Sequence, residues 1–168
     1  EKLRASAGKY AGRVVLCGIG GLGKTQLAAE FCHLHRDDYP GGIYWFDAAP
    51  DGNEIDSQLI AIADHALWIH PESKHAEKLA VARQVLRARA GCLLVFDNVD
   101  ELAVIRPLLQ DLLSGTHILL TSRREQPGFA AVHIPLLSAE ESLTLLRLEA
   151  GRTPKTPVEV EAAGGIGK

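Results

Sequence analysis

Methionine is missing from all 168 residues, position 1 included, so the sequence reads as an internal piece of a longer chain. Aromatic residues are sparse at 5%, which leaves aliphatic side chains to build the core. Cysteine occurs three times, as Cys17, Cys32 and Cys92, without the paired spacing of a zinc site or disulfide framework. These three read as buried free thiols of a protein in the reducing cytoplasm. Apolar runs fall far short of the ~20 residues that a membrane-spanning helix needs. Residues 1–10 are charged and lack an apolar stretch, so no secretory leader is visible. An excess of one charge sign is also missing, with 18 basic against 21 acidic residues and a net charge of −3. That balance gives no direct signal for nucleic acid or an anionic membrane. Histidines do not cluster as ligands: His33 and His35 point to different sides of a predicted helix, and His65, His70 and His75 straddle Pro71.

What is present is the composition of one soluble globular domain, 46% hydrophobic and 23% charged. Short apolar runs alternate with longer helical stretches, predicting an α/β fold with a mainly parallel five-stranded sheet flanked by helices. The strands are expected at 14–17, 43–46, 92–96, 117–121 and 132–134, with the unalternating 92–96 in the sheet interior. A helix over 25–35 carries Leu27, Ala28, Phe31 and Leu34 near one face. A second, over 54–69, has Asn53 as cap and Ile55, Leu59, Ile62, Ala66 and Ile69 at helical spacing. A third over 75–90 carries Leu79, Ala82, Val85 and Leu86, and a fourth over 102–113 is interrupted at Pro107. Ser138-Ala-Glu-Glu141 has the form of a capping box for a last helix that Gly151 would close. The domain is therefore placed at 1–151. Residues 152–168, rich in Pro, Thr and Gly, form a tail or the start of a following helical domain. The closing Gly164-Gly-Ile-Gly-Lys168 lacks a hydroxyl residue and a preceding strand, and reads as a flexible terminus.

Three segments carry chemistry. Gly18-Ile19-Gly20-Gly21-Leu22-Gly23-Lys24-Thr25, followed by Gln26, fills the phosphate-loop pattern between a strand and a helix. The glycines let the backbone wrap a phosphate chain with N–H groups inward, and the helix adds its positive end. Lys24 supplies a mobile charge for β- and γ-phosphates, while the Thr25 hydroxyl can ligate magnesium. Leu93-Leu-Val-Phe-Asp97 is an apolar strand ending in an acid, the partner that holds magnesium beside Thr25. Ile118-Leu-Leu-Thr-Ser-Arg123-Arg124 brings hydroxyls and guanidinium groups to another strand end. Arg123 there is a candidate for the γ-phosphate charge, and Arg124 is expected to point away.

The loop also satisfies the dinucleotide pattern Gly18-x-Gly20-x-x-Gly23, with Asp47 ending the second strand where a ribose-binding acid would sit. Against this alternative stand Lys24-Thr25, which it leaves unused, and the two downstream segments. A P-loop catalyst such as a small-molecule kinase, or a scaffold keeping a degenerate site, is a further alternative.

Together these residues resemble the STAND class of NTPases, and most closely its NB-ARC branch. GIGGLGKT at 18–25 is similar to that family's GMGGLGKT, LLVFDNVD at 93–100 to its acidic strand, and ILLTSRR at 118–124 to its arginine strand. The stretch His133-Ile-Pro-Leu-Leu-Ser-Ala-Glu-Glu-Ser-Leu resembles its link into the next helix, so the likeness spans about 14–146. The resemblance implies a molecular switch that binds ATP or ADP, hydrolyses slowly, and opens or closes a larger self-associating protein. It assigns phosphate to Lys24, magnesium to Thr25 and Asp97, and γ-phosphate to Arg123. Where the family often has a second acid, this chain has Asn98, whose amide can position water but not take its proton. Weak or partner-dependent hydrolysis is the expectation. The family's adenine-side segment lies upstream of the loop, where residues 1–17 stand here, and its closing helical domains follow downstream.

Overall fold

The computed structural model describes residues 12–48, 54–65, 72–110, 112 and 115–150. Five strands, β1 (Arg13–Cys17), β2 (Ile43–Asp47), β3 (Leu93–Asp97), β4 (His117–Ser122) and β5 (Ala130–His133), form one sheet in the order β2-β3-β4-β1-β5. Every pairing is parallel, as the alternation of short strands and helices predicts.

The inner strands read as unbroken apolar runs because both of their faces are covered. Val15 and Cys17 of β1 join one buried cluster with Phe46, Leu94, Phe96 and Leu120, while Val14 and Leu16 join another with Leu93, Val95 and Leu119. Helix α1 (Lys24–Leu34) covers the second face through Ala28, with Phe31 and Cys32 half-buried beside it. Helices α2 (Ile55–His65), α3 (His75–Arg87) and α4 (Arg106–Gln110) supply Ile55, Leu59, Ala82, Leu86 and Leu108 to the first face. Phe46 and Phe96 stack there with ring centroids 5.0 Å apart, each fully buried. Each such ring contributes about 1.5–3 kcal/mol of hydrophobic stabilisation.

Two helices differ from their sequence reading. Leu27 and Leu34 are 46% and 69% exposed, because the sheet meets α1 along 28, 31 and 32, one step further round the helix. The segment after β3 forms a 3-10 turn (Leu102–Val104) and then α4, in which Pro107 is the second residue rather than an interruption. In a first turn its missing N–H costs no helical hydrogen bond. Asn53, Ala66, Ile69, Gly151 and the tail lie outside the described residues.

The chain divides into two compact units, Glu1–Ile134 and Pro135–Lys168. In the second, Ser138 opens α5 (Ala139–Ala150) with the predicted capping box. Its N–H donates to the Glu141 carboxylate at 2.8 Å, and Glu141 N–H donates to its hydroxyl at 3.2 Å. The Ser138 N–H, followed by its hydroxyl, holds the Glu141 carboxyl below the usual range. Among the described residues no helix is long and apolar enough to cross a membrane.

Because the five strands run parallel, their carboxyl ends share one edge. The helix after β1 covers one face, and those after β2 and β3 cover the other. A crevice opens at that edge where the connections part, the usual ligand position in open α/β sheets.

Candidate functional site

The loop from β1 to α1 forms one wall of this crevice. Gly23 caps α1 in the left-handed region at φ 75°, where a side chain would cost about 1–2 kcal/mol, and its carbonyl accepts the Leu27 N–H at 2.8 Å. No side chain caps α1 and its first turn holds no acid, so the helix offers its leading N–H groups and positive end to an anion. The Lys24 ammonium folds back to donate to the carbonyls of Gly18 (2.8 Å) and Ile19 (2.7 Å).

The acid lies two strands away, with β4 between. At the tip of β3, Asp97 Oδ1 accepts from the Thr25 hydroxyl at 2.9 Å and from the Thr121 hydroxyl of β4. Thr121 Oγ1 also accepts the Asn98 N–H (2.9 Å), and its carbonyl accepts the Val99 N–H (2.9 Å). These bonds hold Asn98 at φ 64°, and it is the one non-glycine residue with positive φ among those described. Strain of this kind gathers at functional sites. Thr25 and Asp97 present two oxygen donors at the mouth of the loop, a set suited to a hard divalent cation.

Beyond Thr121, Ser122 Oγ accepts the Arg124 N–H (3.2 Å) and the Gln126 amide (3.1 Å). Buried Gln126 also donates to the carbonyls of Val99 (3.3 Å) and Asp100 (3.4 Å), tying the turn after β4 to the one after β3. The Arg124 guanidinium is turned onto the Asp100 carbonyl at 3.3 Å. Arg123 is 65% exposed, with Nε 4.0 Å from Asp100 Oδ1, a pair too solvated to hold it firmly.

Of the predicted residues, Gly20, Gly21, Lys24, Thr25, Asp97, Asn98 and Arg123 line a cleft of about 300 Å³. Gly18 and Ile19 stand behind them as acceptors for Lys24, Leu22 and Gly23 complete the turn, and Gln26 is exposed on α1. Asp47, Thr121 and Ser122 line the cleft too, in roles the sequence did not assign. At the tip of β1 the Cys17 thiol is pushed up by burial and then by Glu125, partly offset by Lys24; it contacts the Arg124 carbonyl at 3.4 Å. It is a protonated structural thiol rather than a nucleophile.

Asp47 pairs in register with Asp97 at the end of β2, the far edge of the sheet from β5. In a dinucleotide-binding sheet the acid-bearing second strand lies directly beside the first. Here two strands separate them, and the dinucleotide alternative loses its ribose-binding geometry.

A parallel sheet in this order, with the glycine-rich loop after β1 and the acid ending β3, is the fold of the P-loop NTPases. No protein-family model matches the sequence. Among solved structures the chain is similar to Cdc6p from Pyrobaculum aerophilum, with a TM-score of 0.68 and 16% identity, over 96% of this chain and 51% of that one. It is also similar to the ORC2 protein of Aeropyrum pernix, solved as ADPNP–ADP complexes, with a TM-score of 0.56 and 17% identity, over 88% and 48%. At such identities the likeness is one of fold.

Among curated proteins the chain is 36% identical to the regulatory protein AfsR of Streptomyces coelicolor over 162 residues, covering 86% of this chain. It is 32% identical to AfsR of Streptomyces griseus over 175 residues, covering 97%. It spans only 16% and 17% of the length of these larger regulatory proteins.

Proposed function

We propose that this chain is the nucleotide-switch module of a longer cytoplasmic regulatory protein, binding ATP or ADP with magnesium and hydrolysing ATP slowly. One observation carries the reading. Thr25 and Asp97, 72 positions apart, meet at 2.9 Å at the mouth of the phosphate loop. As proposed, the two oxygens are brought together to serve one ligand.

In this reading Lys24 leaves two neutral carbonyls for β- and γ-phosphate oxygens, so that its ammonium meets charged rather than neutral acceptors. The loop and α1 N–H groups take the remaining phosphate oxygens. Thr25 and Asp97 would hold Mg2+, which neutralises phosphate charge when bound. Exposed Arg123 is free to swing to the γ-phosphate. Asn98 takes the place of a second acid beside Asp97, and an amide accepts no proton, so that position supplies no base and slow hydrolysis is the expectation.

The solved ADPNP–ADP complexes of the ORC2 neighbour support nucleotide on this fold, and the AfsR relatives support a regulatory setting. The resemblance to the NB-ARC branch adds the switching itself. Bound ADP or ATP selects the closed or open form of the longer chain, acting on its other domains and on self-association.

Hydrogen bonds to a charged group are worth about 1.5–3 kcal/mol, so Lys24→Ala should weaken binding of a nonhydrolysable ATP analogue at least tenfold. Unchanged affinity in a variant that melts like the wild type removes the loop assignment. Turnover of the isolated domain should stay below about 1 s⁻¹, and faster steady hydrolysis contradicts a switch.

A further inference from the structure

We infer that Asp47 is the carboxylate that orients and deprotonates the attacking water during ATP hydrolysis; this rests on the nucleotide-site reading above. The other nearby acids are committed elsewhere. Asp97 Oδ1 already accepts from Thr25 and Thr121 and belongs to the metal side of the site. Asp100 lies outside the cleft lining, loosely paired with Arg123. Position 98 carries an amide, with its backbone fixed by Thr121.

Asp47 remains, and the sheet aims it correctly. Phe46 and Phe96 are register partners stacked on the face away from α1. One residue on, Asp47 and Asp97 are register partners too, so both side chains turn to the face that α1 covers. That is the face where Lys24 and Thr25 begin α1. Since Thr25 bonds to Asp97, the helix start lies over the tip of β3, and β2 is the adjoining strand, about 4.8 Å away.

The backbone of Asp47 is held from two sides. Its N–H donates to Gln58 Oε1 (2.9 Å), and its carbonyl accepts from Gln58 Nε2 (3.0 Å). The next N–H, from Ala48, donates to the Asp97 carbonyl (2.9 Å) and ties the two strand tips together. No described residue donates to its carboxylate, which is exposed in the cleft beside Asn98. A fixed backbone with an uncommitted carboxylate is what a proton acceptor for water requires.

In the step, a water oxygen forms a bond to the γ-phosphorus. The bond from that phosphorus to the β,γ-bridging oxygen breaks, its electron pair leaving on ADP. One water proton passes to the Asp47 carboxylate and later to the released phosphate or solvent. The Asn98 amide can hold the same water by hydrogen bonding.

The test compares wild type, Asp47→Asn and Asp47→Glu, each for affinity toward a nonhydrolysable ATP analogue with magnesium and for single-turnover ATP hydrolysis. Asp47→Asn should slow hydrolysis about 10²-fold or more, in the range of general-base catalysis, with affinity changed less than about threefold. Asp47→Glu should keep part of the rate that Asp47→Asn loses. Intact binding with unchanged hydrolysis, or with none even in the wild type, overturns the role of Asp47 alone. Weakened binding at an unchanged rate makes Asp47 a ligand contact and also overturns it. Failure of the wild type to bind the analogue removes the nucleotide-site reading itself.

Discussion

Thr121 is where the ends of β3 and β4 are locked together. Its hydroxyl donates to Asp97 and accepts the Asn98 N–H, with 2% of the residue exposed. Thr121→Val keeps the shape and removes both bonds, leaving the part-buried Asn98 N–H and the Asp97 carboxylate without this partner. The expected loss is about 1–3 kcal/mol in urea unfolding, and a loss under about 0.5 kcal/mol contradicts the bracing role. Residues of the loop and of β3 were legible in the sequence because their pattern is local: glycines, Lys24 and Thr25 in one run, Asp97 ending another. Thr121 and Asp47 were legible only as a hydroxyl and an acid at strand ends, because their roles come from register. Only the pairing of β2 with β3, and of β3 with β4, brings them to the cleft.

At the scale of elements, the strands and their parallel pairing followed from short apolar runs between helices. The helix faces were less legible. Leu27 and Leu34 fit helical spacing as well as Ala28 and Phe31 do, and apolarity alone cannot say which stripe meets a sheet. Close approach was equally hidden. A Cβ on Gly41 would lie 2.4 Å from the Ala90 carbonyl and 3.0 Å from Cys92 N, where the approach to β2 crosses the turn before β3. Both neighbours are backbone and cannot yield cheaply. Gly41→Ala should therefore cost about 1–3 kcal/mol, read as a lowered melting temperature, and an unchanged one would show that the turn adapts.

Across the molecule, strand order decides between readings that the loop sequence leaves open. Glycines at 18, 20 and 23 serve a dinucleotide or a triphosphate equally well on paper. Inserting β4 between β1 and β3 moves Asp47 to the far side of Asp97 and joins Thr25 to Asp97 across the gap. That geometry fits the proposed polyphosphate and cation rather than a ribose. The chain spans 16–17% of the length of its regulatory relatives, and in the proposed reading its nucleotide state acts on the rest of a longer chain.

The central claim is magnesium-assisted triphosphate binding at this edge. Calorimetric titration with ADP and a nonhydrolysable ATP analogue, with and without magnesium and alongside NAD, tests it most directly. The account predicts heat of binding for both adenine nucleotides, tighter analogue binding with magnesium, and no signal from NAD. Binding of NAD, or analogue binding indifferent to magnesium in a folded protein, would contradict it.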